Sequence, residues 1–211
     1  MLEFSIIAFS TFAAILNPLG ILPQFIVFTD GCSKHEIKRI SLTAAKVAGV
    51  SIVVLSLVGN YLFKFFGITL PAFRFAGGVI LFLIALDMLR ANPMRTKSTE
   101  EEHSESMDKE NIAIFPVAVP LICGPGTITT ALIIGEKAKN VYEHLIIIGI
   151  VLFMMILTYL SLISSRKISE FMGSIGRNVL IRFMGILLAA VASQFIFDSL
   201  FELGKKFKEL I

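Results

Sequence analysis

Asn17-Pro18-Leu19-Gly20 interrupts the apolar run over residues 4–28, in which a membrane-spanning helix would otherwise continue without a break. Proline breaks or kinks a helix because it lacks an amide hydrogen and clashes with the preceding turn. Asparagine is a good N-cap, and proline is a good first helical residue. The pattern therefore predicts that one half-helix ends near Leu16 and that a second half-helix begins at Asn17.

A second break of the same kind, Gly124-Pro125-Gly126-Thr127, interrupts a later apolar run. Pro18 and Pro125 are 107 positions apart along the chain. The pattern R-F-x-G also occurs twice, beginning at Arg74 and at Arg182, with an offset of 108 positions. Two independent matches at nearly the same offset indicate an internal duplication.

The composition of the chain indicates an integral membrane protein. Its mean hydropathy is +0.83 and 55% of its residues are hydrophobic, which excludes an ordinary soluble domain. The apolar runs reach about 20 residues, the length that an α-helix needs to cross the hydrocarbon core of a bilayer. Six such spans are predicted, over residues 4–28, 41–65, 71–89, 112–134, 143–164 and 179–203.

The number of spans in each repeat fixes how the repeats are related. Three spans are an odd number, so the second repeat enters the membrane from the opposite side, and a pseudo-two-fold axis in the membrane plane relates the two. The predicted fold class is an all-α membrane protein of six transmembrane helices, arranged as two inverted three-helix repeats with helices 1 and 4 broken mid-membrane. Residues 1–211 form a single transmembrane domain, with the first repeat over 1–90, an acidic loop over 91–111 and the second repeat over 112–211.

The two breaks are the predicted substrate site. Freed backbone groups cannot face lipid, so they line a cavity or find partners within the protein. Helix N-termini direct amides toward this cavity and the preceding half-helices offer carbonyls, an arrangement that suits a small zwitterion. The alternative interpretation is that the kinks only shape helix packing. The candidate binding residues are Asn17, Pro18, Leu19, Gly20, Gly124, Pro125, Gly126 and Thr127.

Ionisable residues within spans are candidates for gating or coupling. Lys46 and Asp87 lie at similar predicted depths on spans two and three, so we expect an ion pair between them. We likewise expect Arg74 to reach Asp198 at the outer end of span six. Arg182 is the counterpart of Arg74 at the inner end. These pairs act as alternating gates or neutralise each other, and either arginine alternatively snorkels or contacts carbonyls at a helix end.

The sequence shows no cluster of the residues that form catalytic or metal sites. No span carries paired carboxylates, a histidine-rich cluster or a nucleophile with a matching base, so we expect no enzymatic activity, no cofactor and no metal site. Cys32 and Cys123 show neither a C-x-x-C spacing nor a disulfide framework. No carboxylate lies near the predicted midplane, which leaves coupling open between a proton and a cation such as Na⁺.

The distribution of basic residues predicts the orientation. The loops that follow spans one, three and five hold ten Lys and Arg residues, against six on the opposite side. Positive charge favours the cytoplasm, so both termini are expected outside and the loop over residues 91–111 inside. The net charge of +3 is spread over loops and the tail and gives no reason to expect nucleic-acid binding.

The chain resembles the MarC family of prokaryotic membrane proteins. The residues that carry this resemblance span most of the sequence: Asn17-Pro18-Leu19-Gly20 with Pro23 and Phe25, Arg74-Phe75-Ala76-Gly77-Gly78, Pro116-Val117-Ala118-Val119-Pro120 and Gly124-Pro125-Gly126-Thr127-Ile128-Thr129. The resemblance implies a six-span inner-membrane protein whose characterised relatives transport small neutral amino acids such as glycine and alanine. It also implies that substrate binds at the two broken-helix motifs.

The leading hypothesis is therefore a secondary transporter of small neutral amino acids that works by alternating access and is coupled to an ion. The amino acid as substrate comes from the resemblance alone. Two alternatives stay open: an efflux carrier for another small metabolite, and a structural or signalling membrane subunit that acts through residues 91–111. The sequence leaves the oligomeric state open.

Overall fold

A computed structural model of the protein describes residues 1–90 and 112–208, and within this part it gives the backbone but not every side chain at 169–178 and 205–208. The described residues form helices joined by short turns, and no strand occurs among them. The predicted acidic loop over residues 91–111 lies outside this part. The helices are α1 (Leu2–Leu16), α2 (Leu22–Phe28), α3 (Lys34–Phe65), α4 (Leu70–Leu89), α5 (Ala113–Ile122), α6 (Pro125–Lys137) and α7 (Val141–Lys208).

The helix α7 has two arms that meet at a glycine. Gly173 has φ 65° and ψ −176°, a conformation that side chains other than hydrogen rarely allow. The first arm covers Val141–Ile168 and the second arm Val179–Gly204. A basic loop was predicted over residues 165–178. This prediction is wrong, because the chain is helical on both sides of Gly173.

Four helical segments are long and apolar enough to cross a membrane: α3, α4 and the two arms of α7. Helices α5 and α6 form a fifth candidate, bent by 61° at the break between them. Helix α1, with 15 residues, is shorter than a full span. The all-α, multi-pass membrane fold is thus confirmed, whereas six complete crossings and the inverted repeat stay predictions.

Helix α3 begins earlier than the hydrophobic pattern predicts. The Ser33 hydroxyl accepts a hydrogen bond from the Glu36 amide, and the Glu36 carboxylate accepts one from the Ser33 amide at 2.7 Å. This reciprocal capping satisfies amides that a helix end otherwise leaves unpaired. The polar stretch 34–40, predicted as loop, is therefore the first two turns of α3, outside its apolar part.

The long helices pack on one another where small residues allow close approach. Helix α4 runs antiparallel to the second arm of α7, since Gly78 lies opposite Ile196 and Gly185 lies opposite Met88. A methyl group on Gly78 would lie 2.9 Å from Ile196 Cγ1, and one on Gly185 3.3 Å from Met88 Cβ. The largest fully buried side chains include Phe12, Phe25, Ile52, Ile122, Ile147 and Leu162, so α1, α2, α3, α5 and the first arm share one core.

Helix α6 also packs closely against α3. A methyl group on Gly135 would clash with the backbone carbonyl oxygen of Ser56, and one on Gly59 would clash with Leu132. The Asn60 side-chain amide donates a hydrogen bond of 3.1 Å to the Leu132 carbonyl oxygen. These contacts fix the second half of the broken helix against a full-length span.

We expect Gly135→Ala to lower the free energy of unfolding by about 1–3 kcal/mol, because the added methyl group meets backbone that cannot rotate away. The chain has no tryptophan, so unfolding is followed in detergent with a thiol-reactive dye that reports exposure of buried Cys123.

Gly149→Ala is the matched control, since nothing lies within 4 Å of a methyl group at that position. It should leave the protein equally stable or raise its stability by up to about 1 kcal/mol through helix propensity. Equal melting curves for Gly135→Ala and Gly149→Ala would contradict the close contact between α3 and α6.

Candidate functional site

The first break is a helix end at Asn17. Its backbone is left-handed, with φ 33° and ψ 71°, and its amide donates to the Ala13 carbonyl oxygen at 3.2 Å. The Gly20 amide then donates to both the Asn17 carbonyl oxygen, at 2.8 Å, and the Asn17 side-chain oxygen, at 3.2 Å. Asn17 therefore terminates α1 and closes the turn that follows.

This geometry confirms one half of the sequence prediction and corrects the other. Helix α1 ends at Leu16, as predicted, but the next helix begins at Leu22 rather than at Asn17. Asparagine tolerates the left-handed conformation that helix C-termini favour, and this role has prevailed over N-capping. Pro23, not Pro18, occupies the first turn of α2.

The second break follows the prediction. Gly124 is the N-cap of α6, with extended backbone at φ −85° and ψ 178°, and Pro125 occupies the first turn. The Thr127 hydroxyl donates to the Ile122 carbonyl oxygen at 2.9 Å, and the Cys123 amide donates to the Ala118 carbonyl oxygen at 2.8 Å. Polar groups freed by the break thus find partners within it.

Helix α5, before the second break, is irregular. Phe115 and Val119 have extended backbone, and each is followed by a proline with a cis peptide bond, Pro116 and Pro120. A methyl group on Gly124 would lie 2.5 Å from the Pro120 carbonyl oxygen. The irregular segment therefore folds back closely on the N-cap of α6, and only a glycine fits there.

The two breaks meet at Gly126. A methyl group on this glycine would lie 3.7 Å from Ile15 Cδ1, on the last turn of α1, and 3.7 Å from Phe195 Cζ, on the second arm of α7. The surroundings of the two breaks nevertheless differ. Leu19 is 71% exposed in the first break, whereas Thr127 is 5% exposed in the second.

The R-F-x-G motif of α4 lies directly behind the second break. Gly77 faces the Pro125 ring so closely that a methyl group at this position would clash with it. The corresponding glycine of the second motif, Gly185, contacts Met88 and Leu89 of α4 instead of a break. The two motifs thus occupy different surroundings.

Arg74, in the same motif, connects three helices at one end of the bundle. Its Nε donates to Thr129 Oγ1 at 3.1 Å, and its Nη1 contacts Glu202 Oε1 at 3.0 Å. The Thr129 hydroxyl donates in turn to the Pro125 carbonyl oxygen at 2.8 Å. Arg74 therefore ties α4 to the second break through Thr129 and to the second arm through Glu202.

The predicted partner of Arg74 is wrong. Asp198 accepts a hydrogen bond of 2.7 Å from the Gln194 side chain, one turn back along the second arm. Glu202, inside the predicted sixth span, was not considered, although it lies four residues after Asp198 and so on nearly the same helix face. The spacing i, i+4 was the signal that could have identified it.

The other predicted ion pair is also not formed. Lys46 and Asp87 are both exposed, and within residues 1–90 and 112–208 no ion pair joins them. Arg182 is exposed and has no hydrogen-bond or ion-pair partner in that same part of the chain. A similar depth along two spans does not specify how each helix is rotated, so it does not determine whether two side chains meet.

Two cavities lie apart from the breaks. One, of about 370 Å³, is lined by residues of the α3–α4 turn and the end of α6, including Asn60, Lys64 and Glu136. The other, of about 460 Å³, lies between α3 and the first arm of α7. Among the described residues, no group of three or more His, Cys, Asp or Glu side chains is placed to hold a metal ion.

Comparison with known proteins gives one family. The family model described as "MarC family integral membrane protein" matches residues 2–203. The chain is 35% identical to a UPF0056 membrane protein of Methanocaldococcus jannaschii, over 94% of this chain and 97% of that protein. It is 36% identical to a UPF0056 membrane protein of Aquifex aeolicus, over 97% of each chain, and 33% identical to one of Bacillus subtilis, over 91% and 92%. No solved structure matches the sequence significantly.

A double-mutant cycle with Arg74→Gln and Glu202→Gln should give a coupling free energy of about 0.2–1 kcal/mol, the range for partly exposed ion pairs. The same cycle with Asp198→Asn should give a coupling near zero, because the Asp198 carboxylate binds Gln194. Thermal unfolding in detergent measures both. A larger coupling to Asp198 than to Glu202 would overturn the pairing described here.

Proposed function

The chain belongs to the MarC family of integral membrane proteins, and from this premise we propose that it is a secondary transporter of small neutral amino acids, such as glycine and alanine, that works by alternating access. The observation that carries the proposal is the meeting of two interrupted helices at Gly126. Broken helices that meet inside a membrane protein are typical of the substrate sites of secondary transporters.

The packing of the helices supports an inverted repeat. Exchanging the repeats maps α1 to α5, α2 to α6, α3 to the first arm and α4 to the second arm. Helices α5 and α6 pack on α3, and α1 and α2 pack on α7. The Phe9 and Phe153 rings, 6.2 Å apart, join α1 to the first arm in particular. The packing of α5 and α6 on α3 therefore has a counterpart in the packing of α1 and α2 on α7.

Individual contacts support the same exchange. Helix α4 and the second arm would be partners across the pseudo-two-fold axis. Under an offset of 108 positions, the contact of Gly78 with Ile196 corresponds to a contact of Ile186 with Met88. The contact between Gly185 and Met88 lies one residue from that position.

The chemistry of the second break suits a small zwitterion. The first-turn amides of α6 have no intrahelical acceptor, and the N-cap Gly124 has no side chain to supply one. These amides and the positive end of the helix dipole favour a carboxylate. Ile15 and Phe195 bound the space at Gly126, which leaves room for a hydrogen or methyl side chain rather than a large one. Asn17, Pro18, Leu19 and Gly20 would border the same space from the first break.

We assign the Arg74–Glu202 pair as the gate at one end of the bundle. It lies beside the second break and holds α4, α6 and the second arm together. Its counterpart Arg182, at the opposite end, has no partner among the described residues. Alternating access requires that, in any one conformation of the transporter, one gate is closed and the other is open.

Orientation and coupling complete the proposal. We propose a prokaryotic inner-membrane location with both termini outside, which follows from the excess of basic residues in the opposite loops. The substrate would be carried together with H⁺ or Na⁺. Asp87 and Asp198 are the first candidates for a proton-binding group, since both lie on spans and carry a carboxylate.

Uptake of labelled glycine into proteoliposomes tests the function directly. We expect uptake that unlabelled alanine competes and that an imposed proton or sodium gradient stimulates. Exchange of labelled glycine without stimulation by a gradient would support a carrier that is not coupled to an ion. No flux from protein that is folded by its melting curve would contradict the amino-acid substrate.

Substitutions at Gly126 test the site. Gly126→Ala should retain uptake, because a methyl group would sit at ordinary contact distance, 3.7 Å, from its two neighbours. Gly126→Leu should abolish uptake while the protein still inserts, because the longer side chain fills the space between the breaks. Gly149→Leu, on an open helix face, should transport normally. Normal uptake by Gly126→Leu would remove the proposed site.

A further inference from the structure

An apolar groove runs between α3 and the first arm of α7, apart from the breaks. Its exposed walls include Val50, which is 64% exposed, and Leu152 and Ile156, which are 58% and 57% exposed. Its floor is closed by Gly49, where a methyl group would lie 2.9 Å from Met155 Cγ. The groove holds about 460 Å³ and is lined by Leu42, Ala45, Lys46, Gly49, Val50, Val53, Val54, Ile148, Leu152, Met155, Ile156 and Tyr159.

The two polar lining residues occupy the same end of the groove. In the α3 lining, Lys46 follows Leu42 and Ala45, and Tyr159 is the last lining residue of the first arm. Consecutive spans alternate in direction, so α3 and the first arm, the second and fifth spans of the predicted topology, run antiparallel, which brings Lys46 and Tyr159 to one end. Within the part of the chain that the structure describes, neither the Lys46 ammonium nor the Tyr159 hydroxyl has a hydrogen-bond or ion-pair partner. A cation at the end of an apolar groove requires an anion or water there.

The position of Lys46 on α3 places its charge near the membrane surface. It lies twelve residues after Lys34, about 18 Å along the helix, and the helix begins with the polar turns that carry Lys38 and Arg39. A lysine at this depth extends its ammonium toward the head groups while its stem stays in hydrocarbon. The rest of the groove continues from Lys46 into the hydrocarbon layer.

The dimensions of the groove match one lipid chain. From Leu42 to Val54 the groove follows twelve residues of α3, again about 18 Å, while one leaflet of the hydrocarbon core is about 15 Å thick. Its walls are apolar, and Lys46, the one charged residue of its lining, contributes its aliphatic stem to the wall and a positive charge beyond it. The ligand that these features fit has one long apolar chain and an anion at its end.

We propose that this groove binds an anionic phospholipid, with one acyl chain along α3 and the first arm and its phosphate held by the Lys46 ammonium and the Tyr159 hydroxyl. A second copy of this chain fits less well. A two-fold interface would bring two grooves together, each with a lysine and with no carboxylate in its lining to pair with it. This site is independent of the proposed transport site, which involves other residues.

Native mass spectrometry of the detergent-purified full chain tests the proposal. The protein is incubated with phosphatidylglycerol or with phosphatidylcholine of the same acyl chains. We expect wild-type protein to retain phosphatidylglycerol about fivefold more than phosphatidylcholine, the ratio that corresponds to about 1 kcal/mol for one lysine near an anionic surface. Equal retention of the two lipids would overturn the proposal.

Variants locate the site. The double variant Lys46→Gln/Tyr159→Phe should lose this preference, whereas Lys34→Gln, which removes the same charge from the same helix outside the groove, should keep it. Val50→Trp should reduce binding of both lipids by filling the groove, and Val58→Trp, on the same helix but outside the lining, should not.

Two results would contradict the assignment. Unchanged preference in Lys46→Gln/Tyr159→Phe would show that the phosphate binds elsewhere. A dimer in the mass spectrum that Val50→Trp dissociates would identify the groove as an interface between copies. Every variant is first checked by its melting curve, so that loss of lipid is not confused with unfolding.

Discussion

Backbone hydrogen bonding at the two interrupted helices is the constraint on which the rest of the structure depends. Hydrocarbon offers no partner to a freed amide or carbonyl, so each interruption has to supply its own. At the second break the Thr127 hydroxyl donates to the Ile122 carbonyl oxygen, and the Cys123 amide donates to the Ala118 carbonyl oxygen. At the first, Asn17 closes the turn with its own backbone and side chain. Thr127 and Asn17 therefore contribute to these breaks together with the prolines.

The two breaks lie in different surroundings. The second break is buried, lies against Gly77 and is connected to the second arm of α7 through Arg74 and Glu202. The first is largely exposed and is held mainly by its own turn. In the proposed transport cycle the second break is thus the fixed wall of the site, and the first break is the part with fewer contacts to lose when the site opens.

Much of the fold could be predicted from local sequence. The span predicted over residues 71–89 is helix Leu70–Leu89, and the end of α1 at Leu16 was also predicted. Predictions failed where the sequence allowed two local structures. Residues 34–40 are polar enough for a loop, yet the capping pair Ser33 and Glu36 makes them helix. Asparagine is common at either end of a helix, and the left-handed backbone of Asn17 makes it the C-cap of α1.

The sequence by itself determined that this is a helical membrane protein with two breaks, because apolar run length and proline position act locally and need no other part of the chain. Only the tertiary structure decided which charges meet. Asp198 and Glu202 lie one turn apart on nearly the same helix face, so Arg74 reaches one or the other according to how α4 slides along the second arm. That register is set by close packing of Gly78 on Ile196, a contact between residues 118 positions apart that no local pattern specifies.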